Sequence, residues 1–160
     1  MLYYHVTKSK YLASIRKDGL IAKRGDNAIL CTERKPAIFL SDERSIPHWL
    51  ILTESDTVLS VDLSEPPEES FEYECYKEFI TYKDIPKNTM KEHPLPKEPE
   101  MNKAMAELAE NYFYTINNIC YTMLRCEKLH DINPDDIQEM CQCVNGTIEI
   151  AKRINFKTVP

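Results

Sequence analysis

Met1-Leu-Tyr-Tyr-His5-Val-Thr7-Lys-Ser-Lys-Tyr11-Leu-Ala-Ser-Ile15-Arg-Lys-Asp-Gly19-Leu20 is the stretch that decides the fold. Its opening run is aromatic, apolar and β-branched, which reads as a strand over Leu2–Val6. A helix over Ser9–Lys17 follows, with Ser9 as a candidate cap and Leu12, Ile15 and Arg16 on adjoining turns. Gly19 suits a left-handed C-cap. His5 and Thr7 are thereby left at the exit of a strand, a common position for ligand-binding side chains.

Downstream, Ala37-Ile-Phe-Leu40 is a short buried strand closed by Ser41-Asp42. Ser45–Thr53 reads as a short helix with Pro47 in its first turn. Thr57–Leu63 alternates and reads as a strand. Glu65–Ser70 reads as a loop, and Tyr73–Tyr76 with Glu78–Tyr82 as a strand pair or one bent strand ended by Pro86. Pro94, Pro96 and Pro99 then remove backbone donors and disfavour helix before them, so an extended connector is expected. Beyond it, Met105, Leu108, Tyr112, Ile116, Ile119, Met123 and Leu124 recur on one helix face. Asn133-Pro134-Asp135-Asp136 is a second helix start. The expected organisation is an α+β domain over 1–92, a proline-rich connector over 93–100 and a helical hairpin over 101–160 packed on the domain.

At 160 residues the chain is long enough for one sizeable core. Hydrophobic content of 42% beside 29% charged residues is that of an ordinary globular protein. A net charge of −6 argues against non-specific binding to duplex DNA, which needs a basic face to displace counterions. No apolar run approaches the roughly 18 residues of a bilayer span. No charged segment followed by an apolar one opens the chain, so a signal peptide is not expected and a cytoplasmic location is. Cys31, Cys75, Cys120, Cys126, Cys141 and Cys143 are then expected as reduced thiols. Their spacings, such as Cys141-x-Cys143, do not match zinc-ligand pairs, and no metal site is expected.

The chemistry-bearing residues fall at three strands: Tyr4-His5-Val6-Thr7, Ile38-Phe39-Leu40-Ser41, and Glu78-Phe79-Ile80-Thr81 before Asp84-Ile85-Pro86. A carboxylate can stabilise an oxocarbenium-like centre, as in glycoside cleavage, and a histidine can hold a ribose hydroxyl. Lys8, Lys10, Lys17, Lys23 and Arg24 make the N-terminal segment locally basic, which suits a phosphate-bearing ligand. Each residue also has a purely structural reading. His5 can be a satisfied strand-end histidine, Thr7 and Ser41 can cap, Tyr11 and Trp49 can pack, and Glu78 can be a surface carboxylate. Glu74 is the rival carboxylate, His48 a further candidate, and Arg16 and Arg24 can be solvated.

Tyr4-His5-x-Thr7, the helix with Ile15, and Gly19-Leu20 resemble the first motif of the ADP-ribosyltransferase-like superfamily. That superfamily includes DarT-type toxins, rifamycin-modifying transferases and tRNA 2′-phosphotransferases. Ile38–Ser41 resembles its second motif, and Lys77-Glu78-Phe79-Ile80-Thr81 with Ile85-Pro86 its third; the resemblance spans residues 2–90. It implies a split β-sandwich, here with a C-terminal two-helix extension, and transfer of ADP-ribose from NAD as co-substrate to a macromolecular or small-molecule acceptor. It implies Glu78 as the catalytic residue and His5, Thr7, Tyr11 and Ser41 as NAD-binding residues. Arginine-modifying members carry Gln-x-Glu or Glu-x-Glu where this chain has Tyr76-Lys77-Glu78, so arginine is not the expected acceptor. The tRNA phosphotransferases use several arginines that find no match here. The rivals are a catalytically inactive nucleotide- or protein-binding module on the same fold, and a toxin- or phage-type effector acting through its helical hairpin.

Overall fold

The structure is a computed structural model that describes residues 1–25 and 35–125, together with Asn145, Lys152 and Arg153. The chain folds as α+β, and its described residues form two three-stranded antiparallel sheets with helices packed on them. One sheet has the order β1 (Leu2–Thr7), β3 (Thr57–Asp62), β6 (Met90–His93), and the other β2 (Ile38–Leu40), β5 (Lys77–Thr81), β4 (Glu69–Glu72). Among the described residues a single bridge joins β1 to β2. Tyr4 and Ser41 exchange both backbone bonds, at 2.9 and 2.8 Å.

Strand alternation sorts the core onto two sides. On one side Leu40, Leu59 and Val61, with Tyr3 and Phe79, pack beneath α1 (Leu12–Asp18) through Ile15 and Leu12. On the other, Tyr4 and Val58 pack against Ile46 and Leu50 of α2 (Ile46–Thr53). Helix α2 is apolar nearly all round and is buried accordingly. Its far side, with Ile51 and Leu52, meets Ala104, Leu108 and Ala109 of α3 (Glu98–Arg125). Those three fall at the spacing of one helix stripe with Met101 and Met105. Glu98 and Glu100 in the first turn of α3 complement its dipole, and the Glu100 carboxylate accepts from the Lys97 N–H at 2.6 Å.

Several expectations are corrected. The helix after β1 begins as a 3-10 turn over Ser9–Tyr11, and Ser9 is not its cap: its N–H and hydroxyl both donate to the Asp56 carboxylate, at 2.6 and 2.9 Å. Gly19 has a positive φ of 86° but ψ of −170°, outside the left-handed helical region. The chain there turns extended to form a two-way bridge between Leu20 and Ile85. A Cβ on Gly19 would lie 2.3 Å from the Ile85 oxygen, so the backbone approach itself demands glycine. Glu69 and Ser70, the end of the expected loop, belong to a strand over Glu69–Glu72, and Tyr73–Tyr76 is the turn after it, closed by Tyr73 N–H to the Tyr76 carbonyl at 2.9 Å. The connector is shorter than expected, because β6 reaches His93 and α3 starts at Glu98. The helix read from Asn133, and with it the hairpin, lies outside the described residues.

Candidate functional site

The pairing register builds the site. Strands β2 and β5 pair as Ile38 with Thr81, Phe39 with Ile80 and Leu40 with Phe79; the same register carried one step further sets Ser41 level with Glu78. Ser41 bridges to Tyr4, and Glu78 pairs with Phe71 across to β4. One transverse row, Tyr4–Ser41–Glu78–Phe71, therefore crosses the junction of the two sheets. Directly opposed residues share a face, so these four side chains leave on one side.

The two sheets part beside that row. The next hydrogen-bonded rung of an unbroken sheet would join Val6 to Phe39, two residues on from Tyr4 and Ser41. It is not formed. The Phe39 carbonyl instead meets His5 Nδ1 at 2.9 Å. An imidazole thus occupies the place of a backbone N–H, and the His5 ring is drawn into the gap between β1 and β2. A carbonyl only accepts, so Nδ1 carries the proton that it donates to Phe39. Desolvation holds the His5 imidazolium below its usual range, partly opposed by that bond to Phe39. The resting ring is accordingly neutral, with its Nε2 lone pair free to accept from a hydroxyl.

The five residues expected at an NAD site do not all come together. Ser41 and Glu78 do. His5 is one position along β1 from Tyr4 and alternates to the other side, so it enters the gap from β1 rather than facing Glu78 on one side of the sheet. About two strand spacings, roughly 10 Å, separate β1 from β5. Thr7 is buried two residues beyond His5, and its carbonyl accepts from the Asp56 N–H at 3.2 Å. Tyr11 is an exposed ring with the Lys10 and Lys23 ammonium groups 5.0 and 5.6 Å from its centre. Ser41 is buried, with its hydroxyl 3.4 Å from the Tyr4 carbonyl. Glu78 is buried at 9% exposure, and its Oε2 accepts from the Tyr73 hydroxyl at 3.1 Å. Glu74, the rival carboxylate, sits exposed in the turn.

The other candidates have structural partners. Trp49 Nε1 donates to the Lys77 carbonyl at 2.8 Å, and the Ser45 hydroxyl accepts from the Lys77 N–H at 2.8 Å, so α2 and the turn before it hold the start of β5. His48 is buried, with Nε2 2.7 Å from the Glu107 carboxylate of α3. Arg16 pairs with Glu92 at the surface, and Arg24 is exposed. Cys75 is a free thiol whose ionisation burial pushes up. Among the described residues no cluster of three or more His, Cys, Asp or Glu side chains could hold a metal ion.

The reading of the sequence missed Tyr73, Tyr76 and Ser45. Tyr73 and Tyr76 stack at 4.6 Å and 28°, and Tyr76 takes Trp49 edge-on at 5.3 Å. Assigning Tyr73–Tyr76 to a strand hid this, because a strand would have pointed Tyr73 away from Glu78 rather than folding it back. No family model, no curated protein and no solved structure matches this chain.

Proposed function

We propose that the protein transfers ADP-ribose from NAD to an acceptor, on a split β-sandwich of the ADP-ribosyltransferase-like kind. The observation that carries this reading is the junction itself. The three motif segments of the resemblance lie on β1, at the end of β2 and on β5, and the gap that admits His5 opens beside the row bearing Ser41 and Glu78.

The residues fit such a co-substrate. The neutral His5 ring offers Nε2 as acceptor for a ribose hydroxyl, and a buried carboxylate with few waters around it acts on nearby positive charge more strongly than one in solvent. In the reaction the bond between the ribose C1′ and the nicotinamide nitrogen breaks, and its electron pair neutralises the pyridinium. Glu78 stabilises the positive charge that develops on the ribose. The acceptor then bonds to C1′ and gives up its proton, which Glu78 takes. Ser41 would line the junction beside Glu78, and the roles of Thr7 and Tyr11 in holding NAD rest on the resemblance alone. The proposed setting is the cytoplasm; among the described residues no helix is long and apolar enough to cross a membrane.

A second reading, a nucleotide- or protein-binding module without turnover, is favoured by Tyr76. Two residues before Glu78, where the resemblance leads to a polar acceptor-handling side chain, this chain buries an aromatic ring in packing. One experiment separates the two. Incubation with NAD should release nicotinamide and label a species in a lysate. Glu78→Gln should lower that turnover by a factor on the order of 10² or more while leaving the thermal unfolding midpoint nearly unchanged. NAD binding by calorimetry with no nicotinamide released would select a nucleotide-binding module, and neither binding nor release would sink the transferase and leave only the protein-binding form of the second reading.

A further inference from the structure

We infer that Tyr73 is the positioning residue for the Glu78 carboxylate, its hydroxyl fixing which way Oε2 points at the junction of the sheets. The inference deepens the reading of Glu78 as the catalytic carboxylate and rests on it only for the kinetic part of its test.

The geometry is a relay of fixed parts. Trp49 is anchored by its bond to the Lys77 carbonyl, and its ring meets Tyr76 edge-on. Tyr76 is buried against Ala104 and Leu108 of α3. Tyr73 stacks flat on Tyr76, and its N–H closes the turn on the Tyr76 carbonyl. The phenol is thereby held from both its backbone and its ring, and its hydroxyl reaches Glu78 Oε2 at 3.1 Å. A half-exposed tyrosine kept in place this thoroughly is not needed for the core, since its ring is 43% exposed. What it does reach is one buried carboxylate oxygen.

A hydroxyl that donates to a carboxylate favours the charged form over the protonated one. It also fixes the direction in which Oε2 points. Tyr73→Phe removes the hydroxyl and keeps the stack. The expected result is an acid limb of the pH–rate profile for NAD turnover displaced to higher pH by roughly half a unit or more. A kcat lowered by roughly threefold to tenfold should accompany it, with KM for NAD nearly unchanged. Tyr73→Leu, which removes ring and hydroxyl together, should show the same displacement. If Tyr73→Phe matches the wild type in limb and kcat while Tyr73→Leu does not, the ring acts by packing alone and the inference is overturned, with the proposed function intact. If the wild type turns over no NAD, the function fails and a second measurement decides the inference. The carboxyl carbon-13 resonance of Glu78, identified by its loss in Glu78→Gln, is titrated in wild type and in Tyr73→Phe. A midpoint that moves up in the variant supports Tyr73 as the positioning group, and an unmoved midpoint overturns it.

Discussion

His5 shows how one side chain can end a sheet. Its imidazole answers the Phe39 carbonyl that a continuing strand pair would have answered, so the sheets separate without leaving that oxygen unpaired. The cost appears at low pH. The ring is held neutral by desolvation in the folded chain, so its folded pKa lies below its unfolded value near 6.5. Above that value both states are neutral and His5 contributes nothing to pH dependence. As pH falls through it, the unfolded chain takes a proton that the folded one refuses, and stability is lost until the folded pKa is reached. His5→Asn retains a donor for Phe39 and cannot titrate. Urea denaturation at pH 7.5 and 5.5 should therefore show the wild type losing more stability than His5→Asn, by a difference of up to about 1 kcal/mol. Equal losses would mean that His5 is solvated in the folded chain. The strand positions of His5 and Glu78, and of Ser41 just past the end of β2, were legible because strand patterns are local. Tyr73 was not, because its role depends on a turn bringing it back onto a strand five residues later, and aromatic residues in a row look like a strand before they look like a turn.

At the scale of elements, what was legible were those with one buried face. The β1, α1, β2, α2 and β3 patterns each carry apolar residues at the period of their structure, and each was read within a few residues of its bounds. The strands that escaped were edges. Residues Glu69–Glu72 of β4 and Met90–His93 of β6 have mostly exposed side chains, three of them acidic in β4 and β6 together with Lys91 between, so no alternation marks them. Their partners specify them, not their composition. The Gly19 joint is the converse case, in which a residue was singled out correctly and its geometry was not. Gly19→Ala should be costly because it meets two penalties together, a positive φ and a Cβ within 2.3 Å of a backbone oxygen. A loss of at least about 2 kcal/mol by urea denaturation is expected, larger than a helix-interior exchange would give. A loss under 0.5 kcal/mol would mean that the Leu20–Ile85 bridge shifts freely, and with it the short strand link behind Ile85-Pro86.

Across the whole molecule, the start of the long C-terminal helix closes part of the core. Helix α2 is apolar on both sides, and among the described residues α3 covers one of them. Arg153, far along the chain, donates to the Leu52 carbonyl at 2.5 Å at the end of the same helix. Removing residues 98–160 would therefore uncover Ile51, Leu52 and Tyr76 together, and such a fragment is expected to lose cooperative unfolding rather than remain as a folded domain. A gentler change tests the same coupling in the full chain. Leu108 is fully buried, and Leu108→Ala should cost about 2–5 kcal/mol, the range for a cavity that closes incompletely. Its effect should also travel, because Leu108 supports Tyr76, Tyr76 supports both Trp49 and Tyr73, and Tyr73 holds Glu78. Trp49 is the single tryptophan of the chain, so its emission reports that contact without interference. In Leu108→Ala under conditions where the chain is still folded, the emission should move to longer wavelength and the turnover of NAD should fall, although the substitution lies in a helix that carries no site residue. Destabilisation with unchanged emission and unchanged turnover would show that α3 closes the core without bracing the site, and the aromatic relay would then end at Tyr76.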